Sequence, residues 1–178
     1  MKKRNLPLSR VYRLLEPGPV VMLTTAGLKG ANVMTMSWHM MVDFEPPIVA
    51  CVISNRDYTF ETLRRTRECV INIPTVNMAR KVVGCGNTSG SKTDKFKKFC
   101  LTPVPASEVK APLIDECYAS LECKVIDTTM VEKYNIFILE VVKAWAAPHR
   151  TYPSTIHHFG RGNFMVAGRT ISLPSRMK

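Results

Sequence analysis

No apolar run in this sequence approaches the roughly 18 consecutive residues of a membrane span. Its start, MKKRNLPLSRVYRLL, is basic but has neither an uninterrupted apolar stretch nor a small-residue cleavage site. The expectation is a cytoplasmic protein without membrane contact. The six cysteines (Cys51, Cys69, Cys85, Cys100, Cys117, Cys123) include no CxxC pair, which excludes zinc ribbons and thioredoxin-like redox sites. Cys51, Cys69 and Cys123 sit in apolar strand-like runs and read as small core residues, and Cys85, between two glycines, stands apart. The histidines at 39, 149, 157 and 158 form no i, i+4 pair and have no cysteine at ligand spacing, so no metal is expected. There is no GxSxG elbow for a Ser–His–acid triad. The segment GCGNTSGSKTDKF (84–96) fits neither GxGxxG nor GxxxxGK[ST], which disfavours a Rossmann or P-loop site. With no conventional catalytic set in view, any chemistry must come from a bound cofactor.

Acidic residues are also scarce, 14 against 25 Lys and Arg, giving a formal charge of +11. Such a field attracts anions of any kind. The cations fall in short separate groups: Lys2-Lys3-Arg4, Arg64-Arg65-Arg67, Arg80-Lys81 and Lys92-Lys95-Lys97-Lys98. No RNP-like aromatic strand, zinc finger or basic helix organises them on one groove, so nucleic acid is not the expected partner. A phosphate-bearing cofactor or an acidic protein partner explains the charge as well.

What is present is globular. The 178 residues, 46% of them apolar, suffice for one domain with its own core over 1–178, preceded by a basic tail at 1–10. PVVMLTT (19–25), the alternating run 30–41 and PPIVACVIS (46–54) read as three strands of a meander. NRDYTFETLRRT (55–66) changes to a helical period, ECVINIP (68–74) returns to strand, and TVNMARKVVGCG (75–86) and DKFKKF (94–99) read as short helices. The stretch 117–147 looks like a long hairpin joined near Thr129–Glu132, and 157–169 is a glycine-punctuated loop with one short strand. Many short strands with little helix predict a mainly β barrel rather than a βαβ sheet.

Three places invite a ligand. In GANVMTMSWHMM (30–41), Val33, Thr35, Ser37 and His39 share one face and Asn32, Met34, Met36, Trp38 and Met40 the other. That is either a half-buried core strand or an edge that offers amides and hydroxyls to a flat polar ligand. Ser54, Asn55, Arg56 and Thr59 gather at a helix start, where free N–H groups and the dipole favour an anion; ordinary capping by Asn55 or Asp57 is the alternative. The glycines, hydroxyls and lysines of 84–96 form either an anion-binding loop or a solvated loop capped at Asp94.

In their order and spacing, NVMTMSW, SNRDYTFETLRRTRECVINIP, GNTSGSKTDKF and NFMVAGR resemble the flavin reductase-like, FMN-binding split-barrel family, nearest its flavoredoxin branch, over roughly 17–168. The resemblance implies a six-stranded Greek-key split barrel, a homodimer, and FMN near the subunit interface. It implies that Asn32, Met34, Thr35, Ser37 and Trp38 contact the flavin, and that Ser54, Arg56 and Thr59 surround the phosphate. Ser89 comes with the glycine-rich block. Lys95 would stand at the flavin, where a cation stabilises the anionic reduced form. Tyr134 stands where members often carry a histidine ahead of IFI, which marks Lys95 and Tyr134 as modulators of the flavin, and Phe164 or Phe159 would cover it. Two activities fit this resemblance: an NAD(P)H-dependent reductase passing electrons to flavin or ferric chelate, and a carrier between redox proteins. A basic nucleic-acid-binding barrel is a third, minor reading.

Overall fold

The computed structural model describes residues 18–147, 153–171 and 173–174; the basic tail at 1–10 lies outside them. Strands β1 (Val21–Gly27), β2 (Gly30–Met36), β3 (His39–Phe44), β4 (Pro47–Val52), β5 (Glu68–Ile73), β8 (Ala119–Asp127) and β9 (Ile136–Ala146) form one sheet. Its order is β2-β1-β5-β8-β9-β4-β3. Two small antiparallel pairs join it: β6 (Pro103–Val104) with β7 (Leu113–Ile114), and β10 (Ile156–His158) with β11 (Phe164–Val166). The helices are α1 (Tyr58–Thr66), α2 (Ala79–Gly86), α3 (Lys95–Lys98) and α4 (Val131–Tyr134). The mainly β expectation holds, and the long hairpin at 117–147 is present with α4 in its bend.

The single strand expected over 30–41 is two strands. β2 pairs with β1 and β3 pairs with β4, so Ser37 and Trp38 link the two opposite edges of the sheet. Seven flat strands would hold those edges about 29 Å apart. Three Cα steps from Met36 to His39 reach only about 11 Å. The sheet must therefore roll until its edges meet. Trp38 O accepts from Val52 N (3.0 Å), and the His39 ring lies 2.8 Å from Pro19 O. No sheet closes into a barrel by hydrogen bonding among the described residues. The break also accounts for a seventh strand beside the six expected.

Rolling gives the sheet an inner and an outer core. Inside, Phe60 and Leu63 of α1 pack with Val21, Leu23, Cys69 and Phe137, and the Phe60 and Phe137 rings meet edge to face at 5.4 Å. Arg67 ends α1 in the left-handed region (φ 57), its N–H donating to Leu63 O. Outside, Val82 and Cys85 of α2 cover Met22 and Val33. Strands β1 and β2 are thus clothed on both faces. The face of β2 that carries Thr35 is covered by α2 rather than open to water along its length: Thr35 donates to Val82 O of α2 (2.7 Å).

The loop 105–114 is pinned by buried polar groups on the sheet. Glu122, fully buried, accepts from Ser107 N, Glu108 N and the Trp145 indole (2.7 Å). Burial alone would raise its carboxyl, but the bonds from Trp145, Ser107 and Glu108 outweigh it and hold the group below its ordinary value. Among the described residues no helix is long and apolar enough to cross a membrane, and no cluster of three or more ligands can hold a metal.

Candidate functional site

Two cavities meet along β2. The first, about 250 Å³, lies between β2, the start of α1 and the loop after α2; Asn32, Thr35, Arg56, Thr59, Ser89 and Lys95 are among its lining residues. The second, about 500 Å³, lies between β2, α2 and the β10–β11 hairpin and is lined by Ser37, Val82, Val83, His158 and Phe164 among others. Thr35, Gly86 and Asn87 line both.

The first cavity is rich in donors. Helix α1 begins at Tyr58 with Asp57 as its N-cap, yet neither Asp57 nor Asn55 caps it through a side chain. The first-turn amides of Tyr58 and Thr59 find no acceptor among the described residues. Arg56 is exposed and makes no ion pair among the described residues. Buried Thr59 accepts from Asn32 Nδ2 (2.9 Å) and keeps its own proton to give. The loop side is close: a Cβ on Gly90 would overlap Asn32 Oδ1, so only glycine lets the loop approach β2. The two alternatives read separately from the sequence, a helix start and the 84–96 loop, are therefore opposite walls of one cavity.

Lys95 is 5% exposed. Its ammonium donates to Val33 O (2.7 Å) and Cys85 O (2.9 Å), tying β2 to the last turn of α2, where the helix dipole favours a cation. Two of its three protons are thus committed and one remains for the cavity. Burial lowers its pKa, against the opposing pull of Cys85 and Asp57. Burial also pushes the Cys85 thiol up to about 11, although Lys95 and Lys81 draw it down, so Cys85 is a core thiol and no nucleophile. Cys51, Cys69 and Cys123 are buried as expected.

Of the residues singled out in the sequence, Asn32, Met34, Thr35, Arg56, Thr59, Ser89 and Lys95 come together in the first cavity, and Ser37 and Phe164 in the second. Four lie elsewhere. Ser54 holds the turn before α1 by accepting from Arg56 N (3.2 Å). Trp38 is 55% exposed on the link between sheet edges, and Tyr134 is half exposed at the end of α4. Phe159 N donates to Asn163 O in the hairpin turn, leaving Phe164 as the C-terminal aromatic that lines the cavity. Sequence reasoning passed over Tyr58, Val83, Asn87 and His158. Val83 on α2 and Asn87, the residue just past its end, are one helical turn apart, and that spacing is the signal that marks them; His158 enters the sequence reading only as a metal ligand.

The family described as flavin reductase like domain matches residues 12–164. The chain belongs to that family. It is 31% identical to the Escherichia coli K12 protein YddH over 182 aligned positions, spanning 94% of this chain and 96% of that one. An FMN-binding domain of a flavin reductases-like enzyme from Shewanella baltica superposes with a TM-score of 0.82 at 25% identity, over 95% of this chain and 96% of the other. Flavoredoxin of Desulfovibrio vulgaris superposes at 0.84 with 23% identity, over 97% of each chain. The fold is that of the FMN-binding split barrels, and family and neighbours together point to a flavin cofactor. The donor set fits one: amides, hydroxyls, a guanidinium and a spare ammonium proton suit a phosphate, and the second cavity, where Val20, Val82, Val83 and Phe164 stand beside Thr35, Ser37, Asn87 and His158, suits an aromatic ring with a polar edge.

Proposed function

We propose that this chain is an FMN-binding oxidoreductase that moves electrons from NAD(P)H, or from a reduced protein donor, to flavin, ferric chelate or a protein acceptor. One observation carries the reading: a donor-rich cavity suited to a phosphate and a second, mixed cavity suited to a ring share a wall at Thr35, Gly86 and Asn87. Arg56, Thr59, the first-turn amides and Ser89 would hold the phosphate. Lys95 directs its remaining proton at the ligand, and Val83 and Phe164 cover the ring. A bound flavin supplies the redox chemistry; the side chains here bind and orient it, and none serves as a nucleophile.

The test is binding to the ligand-free protein. FMN should bind at micromolar concentration or below, and replacing Arg56 and Thr59 by Ala should weaken FMN about a hundredfold, roughly 3 kcal/mol. Riboflavin, without the phosphate, should lose far less. Equal losses for both would refute the phosphate assignment. Arg56→Ala alone, at an exposed position, gives the same contrast without touching the core.

The charge of +11 supports a second reading, a carrier that meets an acidic redox protein. Stopped-flow flavin bleaching at matched ionic strength separates the two. A reductase is reduced by NADH or NADPH within seconds, and a carrier far faster by an acidic protein donor. In either case we expect a homodimer, since β3 is an edge strand with Met40 63% and Phe44 78% exposed. Light scattering of a flavin-loaded monomer would contradict it.

A further inference from the structure

Acidic side chains are unevenly spread along the chain. None occurs between Cys69 and Thr93, and none after Glu140. The first of these stretches holds α2 and the second the β10–β11 hairpin. They wall the second cavity, through Val82, Val83 and Gly86 on one side and His158, Gly162 and Phe164 on the other. Its third wall, β2, carries no acid either. The cavity suited to the ring is thus framed by chain without a single negative charge.

Cations stand at its rim. Arg80 lies one helical turn before Val83 on α2, and Arg161 is next to Gly162 in the hairpin turn. Both are exposed, and neither makes an ion pair among the described residues. Lys81, also on α2, is committed instead to Cys100 O (2.6 Å) and Glu116 (3.8 Å). Apolar side chains accompany the two arginines. Val83 is 36% exposed, and Val166, 51% exposed, shares the hairpin face of Phe164. An apolar patch edged by polar groups has the make-up of a protein contact surface. Covering two guanidinium groups that have no counter-charge is costly unless the covering molecule supplies carboxylates, so the patch selects an acidic partner and rejects a basic one.

We propose that the mouth of the second cavity is the docking face for an acidic redox protein, with Arg80 and Arg161 as its charge contacts and Val83 and Val166 as its apolar centre. The inference rests on the carrier reading above and gives that reading a place on the molecule. A one-electron donor seated there faces the cavity suited to the ring. Each encounter passes one electron, so two encounters and one proton from solvent complete the two-electron reduction of a bound flavin and leave two donors oxidised.

Calorimetric titration of the flavin-loaded protein with oxidised plant-type [2Fe–2S] ferredoxin, an acidic electron carrier, tests the face at low ionic strength. The wild type should bind it with a micromolar Kd that weakens as salt is added. Arg80→Glu with Arg161→Asp should weaken binding at least tenfold; aspartate tolerates the left-handed φ of 55 at position 161. Lys29→Glu with Lys110→Glu, exposed positions at the β1–β2 turn and ahead of β7, removes the same charge and should weaken it less than threefold. FMN affinity should stay within about threefold in both. The rate of flavin bleaching by reduced ferredoxin should fall in the same order. Equal weakening by the two pairs would show that net charge acts without this face, and would overturn the proposal while the carrier reading stands. Loss of the homodimer on Val166→Glu, read by light scattering, would give the face to a second copy of the chain and overturn it too. No binding and no bleaching by ferredoxin would overturn both the proposal and the carrier reading.

Discussion

Two buried asparagines flank β1, and they are satisfied to different degrees. Asn72 on β5 is saturated: its amide donates to Met22 O (3.1 Å), and its Oδ1 accepts from Ile114 N (2.9 Å) and the Ser120 hydroxyl (2.7 Å). Asn32 on β2 donates to Thr59 (2.9 Å), but no donor among the described residues reaches its Oδ1. The neighbourhoods repeat the difference. Around Asn72 the chain supplies every partner, from β1, β7 and β8. Around Asn32 stand donors with protons to spare on Arg56, Thr59 and Lys95. A polar cluster closed on itself holds a fold together; one left open on a cavity keeps bonding capacity that the fold does not use.

The comparison breaks most visibly in stability. Asn72→Ala strands the Ile114 amide and the Ser120 hydroxyl, and should cost about 3 kcal/mol, roughly 6–12 °C in Tm for a chain of this size. Asn32→Ala removes one bond, from a hydroxyl that can turn toward the cavity. It should cost about 1 kcal/mol or less in stability while weakening FMN. Denaturant melts of both variants with and without FMN measure this. Equal destabilisation by the two substitutions would show that Asn32 is structural as well.

The sequence made the open cluster legible in pieces. SNRDYT and the 84–96 block each suggested an anion because hydroxyls, glycines and cations are local signals. That they face one another depends on α1 and α2 packing on opposite faces of β2, a long-range fact absent from either segment. The break at Ser37–Trp38 was hidden for a related reason. Alternation continues across it unchanged, and only the choice of pairing partner, β1 before it and β4 after it, shows that the strand has ended. The Asn72 cluster left no trace at all, since a single asparagine in ECVINIP becomes a hub only when β1, β7 and β8 assemble around it.

A smaller effect sharpens the boundary between the clusters. Gly90→Ala places a methyl on Asn32 Oδ1 and 3.1 Å from the Tyr58 ring, so the loop must retreat from β2. Loop retreat on an open surface should cost about 1 kcal/mol in stability, at the low end of overpacking, and about tenfold in FMN affinity as Ser89 moves off the ligand. Calorimetric FMN titration of the folded variant decides it. Unchanged affinity would remove the loop from the phosphate site.

The smallest effect concerns Lys95, which belongs to both kinds of cluster, with two protons given to the fold and one facing the cavity. Its buried ammonium has a pKa below the ordinary 10.5. Between that lowered value and 10.5 the unfolded chain holds a proton that the folded chain has released, so rising pH favours the folded state. Below the window the full cost of burying the charge applies; above it the cost is gone. The ligand responds in the opposite sense, because a phosphate is attracted only by the charged form. Relative to Lys95→Met, wild-type stability should therefore rise, and wild-type FMN affinity should fall, over the same alkaline interval. The variant serves as the baseline that cancels every other alkaline titration, that of the flavin included. If affinity stays level while stability rises, the third proton does not reach the ligand, and Lys95 belongs with Asn72 among the groups that serve the fold alone.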